Sequence, residues 1–127
     1  MIDERDDYGR TLLHRLEWKK TYDVDFAEWI VHLRPKMIRM KDIELGRTPI
    51  MIACANGNLG IAQLLYGRQR ETLDDIDNYG DTVMHRTVSH VSSDDRRDVV
   101  NWLWSVLPQM IDAVNNNGRT PFLYACA

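Results

Sequence analysis

The tripeptide Gly-[Arg/Asp]-Thr occurs four times, as Gly9-Arg10-Thr11, Gly46-Arg47-Thr48, Gly80-Asp81-Thr82 and Gly118-Arg119-Thr120, at spacings of 37, 34 and 38 residues. Self-similarity at such a period marks a stack of supersecondary units, each too small to bury its apolar face alone. The local chemistry shows what each unit is. Asp6, Asp77 and Asn115 stand three residues before their glycines, and Ile43 holds that place in the second copy. Three copies therefore pair a turn-forming Asx side chain with a residue that adopts positive φ freely. Thr11, Thr48, Thr82 and Thr120 follow where a hydroxyl caps a helix, and Pro49 and Pro121 fill the next position, where the missing N–H costs nothing. Each copy thus opens with a tight turn and a short helix.

A second helix is expected in the three complete copies. Its marks are Phe26-Ala27-Glu28-Trp29-Ile30, Ile61-Ala62-Gln63-Leu64-Leu65 and Val99-Val100-Asn101-Trp102-Leu103, with apolar residues at i, i+3 and i+4. That stripe predicts a buried Trp29 and a buried Trp102. The distance from the capping threonine to the stripe is 15, 13 and 17 residues, so the irregular spacing falls in the turn between the two helices. Pro35 and Pro108 each come nine residues after the stripe begins and stop the second helix.

A unit of turn, helix, helix and extended return resembles the ankyrin repeat, whose motif reads D-x-x-G-x-T-P-L-H-x-A-A with a G-h-x-x-h stretch opening the second helix. The best copy is GRTPIMIACANGNLGIAQLL, with Gly46, Thr48, Pro49, Ala53 and Gly57; GRTLLHRLEW and GDTVMHRTVS keep Thr and His but lack Pro and the small pair. The expected fold is a mostly α solenoid of helix-turn-helix units with short β-hairpin-like loops. It would be one domain of about three and a half repeats, at residues 6–42, 43–76, 77–114 and a partial 115–127. Copies one and three share Thr-[Leu/Val]-[Leu/Met]-His-Arg, and copies two and four share Thr-Pro-x-x-x-Ala-Cys-Ala, a pairing that suggests a duplicated two-repeat block. Cys54 and Cys126 fall at one equivalent position, where the family packs a small residue, and read as buried side chains.

Copy four looks like an interior repeat and carries Phe122, Leu123 and Tyr124 on a lone first helix. Uncovered apolar surface of that kind implies a continuation of the chain, a partner or self-association through the half-repeat. Of these, a continuation of the chain is the favoured expectation.

Against enzymatic or metal chemistry, each candidate has a plainer account. His14 and His85 hold the T-x-x-H slot, where the resemblance implies that the imidazole braces the turn and helix start. His32 and His90 lie in different repeats, and no His-Glu-x-x-His, Walker loop, dinucleotide fingerprint or Gly-x-Ser-x-Gly is present. No cofactor is implied. The acidic runs DERDD, DDID and SSDDRRD read as solvated charge in turns and hairpins, and the cluster Arg34, Lys36, Arg39 and Lys41 as a solvated edge. A net charge of −3 disfavours nucleic acid as a partner. The chain has no apolar run long enough to cross a membrane and no basic-then-apolar start, so an intracellular, cytoplasmic or nuclear, protein is expected.

What remains is a surface. The resemblance implies partner binding through the concave face of hairpin tips and first helices. The residues around each turn glycine are Asp7, Tyr8 and Arg10; Glu44, Leu45 and Arg47; Asn78, Tyr79 and Asp81; and Asn116, Asn117 and Arg119. Tyr8, Leu45 and Tyr79 form an apolar row set among acids and arginines, and Trp18 and His90 extend it along helix-one ends. The expected function is non-catalytic recognition of another protein as adaptor, scaffold or inhibitor. Two alternatives are a short stand-alone inhibitor resembling ankyrin regulators of kinases or Rel-type transcription factors, and a targeting domain of a multidomain enzyme or channel.

Overall fold

The computed structural model describes residues 4–14, 23–89 and 94–126. Six α-helices occur in this part: α1 Asp23–Leu33, α2 Pro49–Ala55, α3 Leu59–Arg68, α4 Val83–Val88, α5 Asp94–Val106 and α6 Pro121–Cys126. Three 3-10 turns, Pro35–Arg39, Arg70–Asp74 and Pro108–Asp112, follow α1, α3 and α5. The short helices α2, α4 and α6 stack side by side, and the longer α1, α3 and α5 form a second layer against them. No strand is present among the described residues; the hairpin-like loops are turns.

The elements begin and end for identifiable reasons. Proline leads α2, α6 and two of the 3-10 turns, with its fixed φ suited to a first helical turn. The Asn58 side chain accepts from the Ile61 N–H at 3.3 Å and caps α3. At α4 the cap is reciprocal: Thr82 Oγ1 accepts from the His85 N–H, while the Thr82 N–H donates to His85 Nδ1 at 3.1 Å. Between the layers, Ile30, Ile50, Ile61, Leu65, Leu73, Val83, Val99 and Leu103 are fully buried. Burial of each such side chain contributes about 1.5–3 kcal/mol. Cys54 is buried among them, and burial pushes its thiol up to about 12, which makes it a small packing residue with no reactive thiolate.

The two T-x-x-H histidines bond the threonine of their own copy and reach the next one as well. His14 Nδ1 accepts from the Thr11 N–H at 3.0 Å, which places the ring proton on Nε2, and that N–H donates to the Arg47 carbonyl at 2.8 Å. His85 repeats the arrangement with Thr82 and the Arg119 carbonyl, also at 2.8 Å. Each buried imidazole thus ties its own repeat to the next. Burial holds His14 below the ordinary histidine range despite the Arg47 carbonyl and the nearby Asp42 carboxylate, so the neutral ring is the resident form.

Four sequence expectations need correction. Asp42, not Ile43, is the Asx residue of the second copy: one extra residue precedes Gly46, and Asp42 Oδ1 accepts from Leu45 and Arg47 N–H groups at 3.1 and 2.9 Å. Thr48 makes no cap bond, and its buried Oγ1 has no partner; Met51 stands at the place that His14 and His85 hold in the first and third copies. Trp29, expected to be buried, is 54% exposed, and Trp102 is half-buried, edge-on to Tyr66. The acidic runs are not all solvated turns either. Asp77 is buried as an ion-pair partner of Arg86, and Asp98 lies inside α5. The basic cluster does lie exposed, yet two members link repeats: Arg39 forks onto the Asp75 carboxylate, and Lys41 donates to the Ile76 carbonyl at 2.9 Å.

Candidate functional site

The loop tips are built on one design. In each, a buried or half-buried Asx side chain accepts two backbone N–H bonds and closes the turn: Asp6 from Tyr8 and Arg10, Asp42 from Leu45 and Arg47, Asp77 from Tyr79 and Asp81, Asn115 from Asn117 and Arg119. Glycine follows at a φ of 72–75° in all four. At Gly80 a Cβ would lie 2.5 Å from Asn116 Oδ1, so the next loop also requires the glycine.

The second carboxylate oxygen recruits an arginine. Arg10 Nε bonds Asp6 at 2.8 Å and Arg47 Nε bonds Asp42 at 2.9 Å. Burial pushes the Asp42 carboxyl up, but the Arg47 and Leu45 N–H groups and the Arg47 guanidinium outweigh it and hold the group below the usual carboxylate range. The third copy has Asp81 at the arginine place, and Arg86 from α4 takes over, with Nε 2.7 Å from Asp77. Asp81 is consequently 1% exposed, 3.7 Å from Arg86 and bonded to Asn115 Nδ2 at 2.9 Å. It was expected on the partner-binding face, and the structure places it inside instead, because a charge reversed at that position pairs inward.

Successive tips are joined by one backbone bond each. The Ile43 N–H donates to Tyr8 O at 2.7 Å, Asn78 to Leu45 O at 2.8 Å, and Asn116 to Tyr79 O at 2.9 Å. The three residues of the expected row, Tyr8, Leu45 and Tyr79, are therefore structurally equivalent: each supplies the carbonyl of one rung. Tyr8 and Tyr79 are half exposed, at 51% and 52%, and Leu45 is partly buried. Guanidinium groups sit over both tyrosine rings, Arg10 at 4.9 Å from the Tyr8 centroid and Arg86 at 5.8 Å from that of Tyr79. Glu44 and Asn78 are exposed beside the row, and Arg10 and Arg47 are partly exposed. Trp18 and His90 lie outside the described residues. Sequence reasoning missed the exposed Ile43, Ile76 and Val114 at the same loops, because the apolar pattern it followed was helical and these residues lie between helices.

Among the described residues no group of three or more His, Cys, Asp and Glu could hold a metal ion. No helix there is long and apolar enough to cross a membrane. The arrangement offers a ridged row of tyrosines and arginines, the residue types enriched where proteins bind proteins.

A stacked two-layer array of this kind, with its Asx-Gly tips and bridging T-x-x-H histidines, defines a helical repeat scaffold. Comparison with protein families finds ankyrin repeats, in three copies, over residues 19–106, and the chain belongs to that family. Members are in general protein–protein interaction modules without catalytic function. Comparison with curated proteins finds no match.

Proposed function

We propose that the chain is an adaptor, scaffold or inhibitor that seats a partner protein on the row of loop tips, with Tyr8, Leu45 and Tyr79 as apolar anchors. Arg10, Glu44, Arg47 and Asn78 form a polar rim around them. The observation that supports this reading is the rung geometry. One bond per repeat holds the three anchors in equivalent positions, so a partner meets a pre-organised surface and loses little conformational freedom on binding. The occupied array spans residues 6–126 in this reading, with the last unit contributing Asn116, Asn117 and Arg119 beside the rim.

The test is the triple replacement of Tyr8, Leu45 and Tyr79 by Ala, with affinity measured against a partner captured by the wild-type protein. A loss of about tenfold or more, about 1.4 kcal/mol, with unfolding unchanged supports the assignment. A smaller loss in a folded variant removes it.

A further inference from the structure

The exposed tryptophan of α1 points to a second surface. Phe26, Trp29 and Leu33 lie on one side of α1, since residues three and four apart share a helix face. All three are exposed, at 43%, 54% and 40%. The equivalents of the first two are covered, and at the Leu33 position the next repeats carry the exposed Arg68 and the half-buried Val106. Ile61 and Val99, at the Phe26 position, are fully buried, and Trp102, at the Trp29 position, packs edge-on against Tyr66 of the preceding long helix with centroids 5.6 Å apart. In the interior of the array this side of a long helix is the one covered by the long helix before it. Glu28, on another side of α1, meets Arg68 of α3 at 3.1 Å, so the Phe26 side faces away from the next repeat.

The charges beside this stripe say what fits it. Asp25 is exposed near the start of α1, and His32, Arg34 and Lys36 are exposed at or just beyond its end. A long helix laid parallel on α1 with the same charges would set like against like. The same helix laid antiparallel sets acid against base at both ends and apolar against apolar in the middle. The surface is therefore complementary to itself under a two-fold rotation, the symmetry of the commonest closed assemblies.

We infer that two copies of this chain pair through α1, antiparallel, burying Phe26, Trp29 and Leu33 of each and setting Asp25 of one copy near Lys36 of the other. The contact is independent of the loop-tip row.

Sedimentation velocity over a concentration series tests it on the whole chain. The wild type is expected to move from 14.9 kDa toward twice that mass as concentration rises. Trp29→Arg, a change at an exposed residue, weakens association by about thirtyfold or more, the scale of an interface hot spot. Far-UV dichroism and thermal unfolding establish that the variant is folded. Asp25→Lys and Lys36→Asp each weaken it about threefold, as expected of an exposed ion pair, and the double variant recovers the wild-type constant. Phe122→Glu, at the other end of the array, leaves the dimer intact. A wild type that stays monomeric at its highest soluble concentration overturns the inference, as does a dimer that survives Trp29→Arg or is lost with Phe122→Glu. Failure of the charge pair to recover overturns the antiparallel arrangement.

Discussion

The histidine-bearing copies and the proline-bearing copies join their neighbours differently. At the first junction His14 reaches the Arg47 carbonyl, and at the third His85 reaches that of Arg119. At the middle junction the equivalent residue is Met51, fully buried and unable to make that bridge. There the described links are the Leu45–Asn78 rung and the edge-on packing of Trp102 on Tyr66. All three junctions share a backbone rung, and two of them add a directional bond from a buried imidazole where the middle one has apolar packing. A methionine adapts to small shifts, whereas an imidazole with both nitrogens engaged fixes spacing and orientation.

The largest expected effect that could break this contrast comes from removing the bridge. His14→Leu or His85→Leu keeps most of the volume but strands a buried threonine N–H and a part-buried carbonyl. At about 1–3 kcal/mol for each unpaired group, the expected loss is about 2–5 kcal/mol in urea unfolding. Met51→Leu, the matching change at the middle junction, should cost less than about 1.5 kcal/mol. Equal losses at the two kinds of junction would show that the bridge carries no special weight.

Acid probes the same bond without mutation. His14 binds its proton less readily folded than unfolded, because burial penalises the charged ring by more than the Arg47 carbonyl and the Asp42 carboxylate favour it. Its contribution is fully present above the ordinary value of 6.5 and declines as pH falls through that value toward the folded one. The slope from this group is bounded at about 1.4 kcal/mol per pH unit. Unfolding at pH 7.5 and 5.5 should therefore show the gap between wild type and His14→Leu narrowing in acid. A gap that widens would mean that the imidazole is charged when folded.

The smallest effect sharpens the comparison at the threonines. Thr82→Val removes a hydroxyl that caps α4 and bonds His85, at a cost of about 1 kcal/mol. Thr48→Val removes a buried hydroxyl with no partner, so stability should hold or rise slightly. Thermal unfolding of the two variants side by side decides it, and a loss at Thr48 as large as that at Thr82 would contradict the difference in capping.

Much of this was legible beforehand because turn chemistry leaves a local trace. Gly-x-Thr with a following Pro or T-x-x-H marks the starts of α2, α4 and α6, and the stripes around Ile30, Leu65 and Leu103 give the buried side of the long helices. The rest depends on neighbours. A stripe marks the positions that pack on a neighbouring long helix, but the neighbour itself lies elsewhere in the sequence: Trp102 meets Tyr66, whereas Trp29 is exposed. A single inserted residue before Gly46 hid Asp42, since a fixed offset from the glycine lands on Ile43. Asp81 reads as a surface acid until Arg86, five residues on, and Asn115, in the next repeat, are brought beside it. In the candidate site, the tyrosine row was visible as spacing, whereas the rungs that align it are backbone bonds and leave no side-chain signature.

Those rungs also give the array a mechanical character. Three bonds in line along one edge act as a hinge pin: bending about that edge slides the helices over one another while the pin stays closed. Tension along the axis loads the junctions one after another, as links in a chain, so extension proceeds by discrete steps set by the weakest link. With Met51 where its neighbours carry imidazole, the middle link, between the loops of Leu45 and Asn78, is where such a chain is expected to part first.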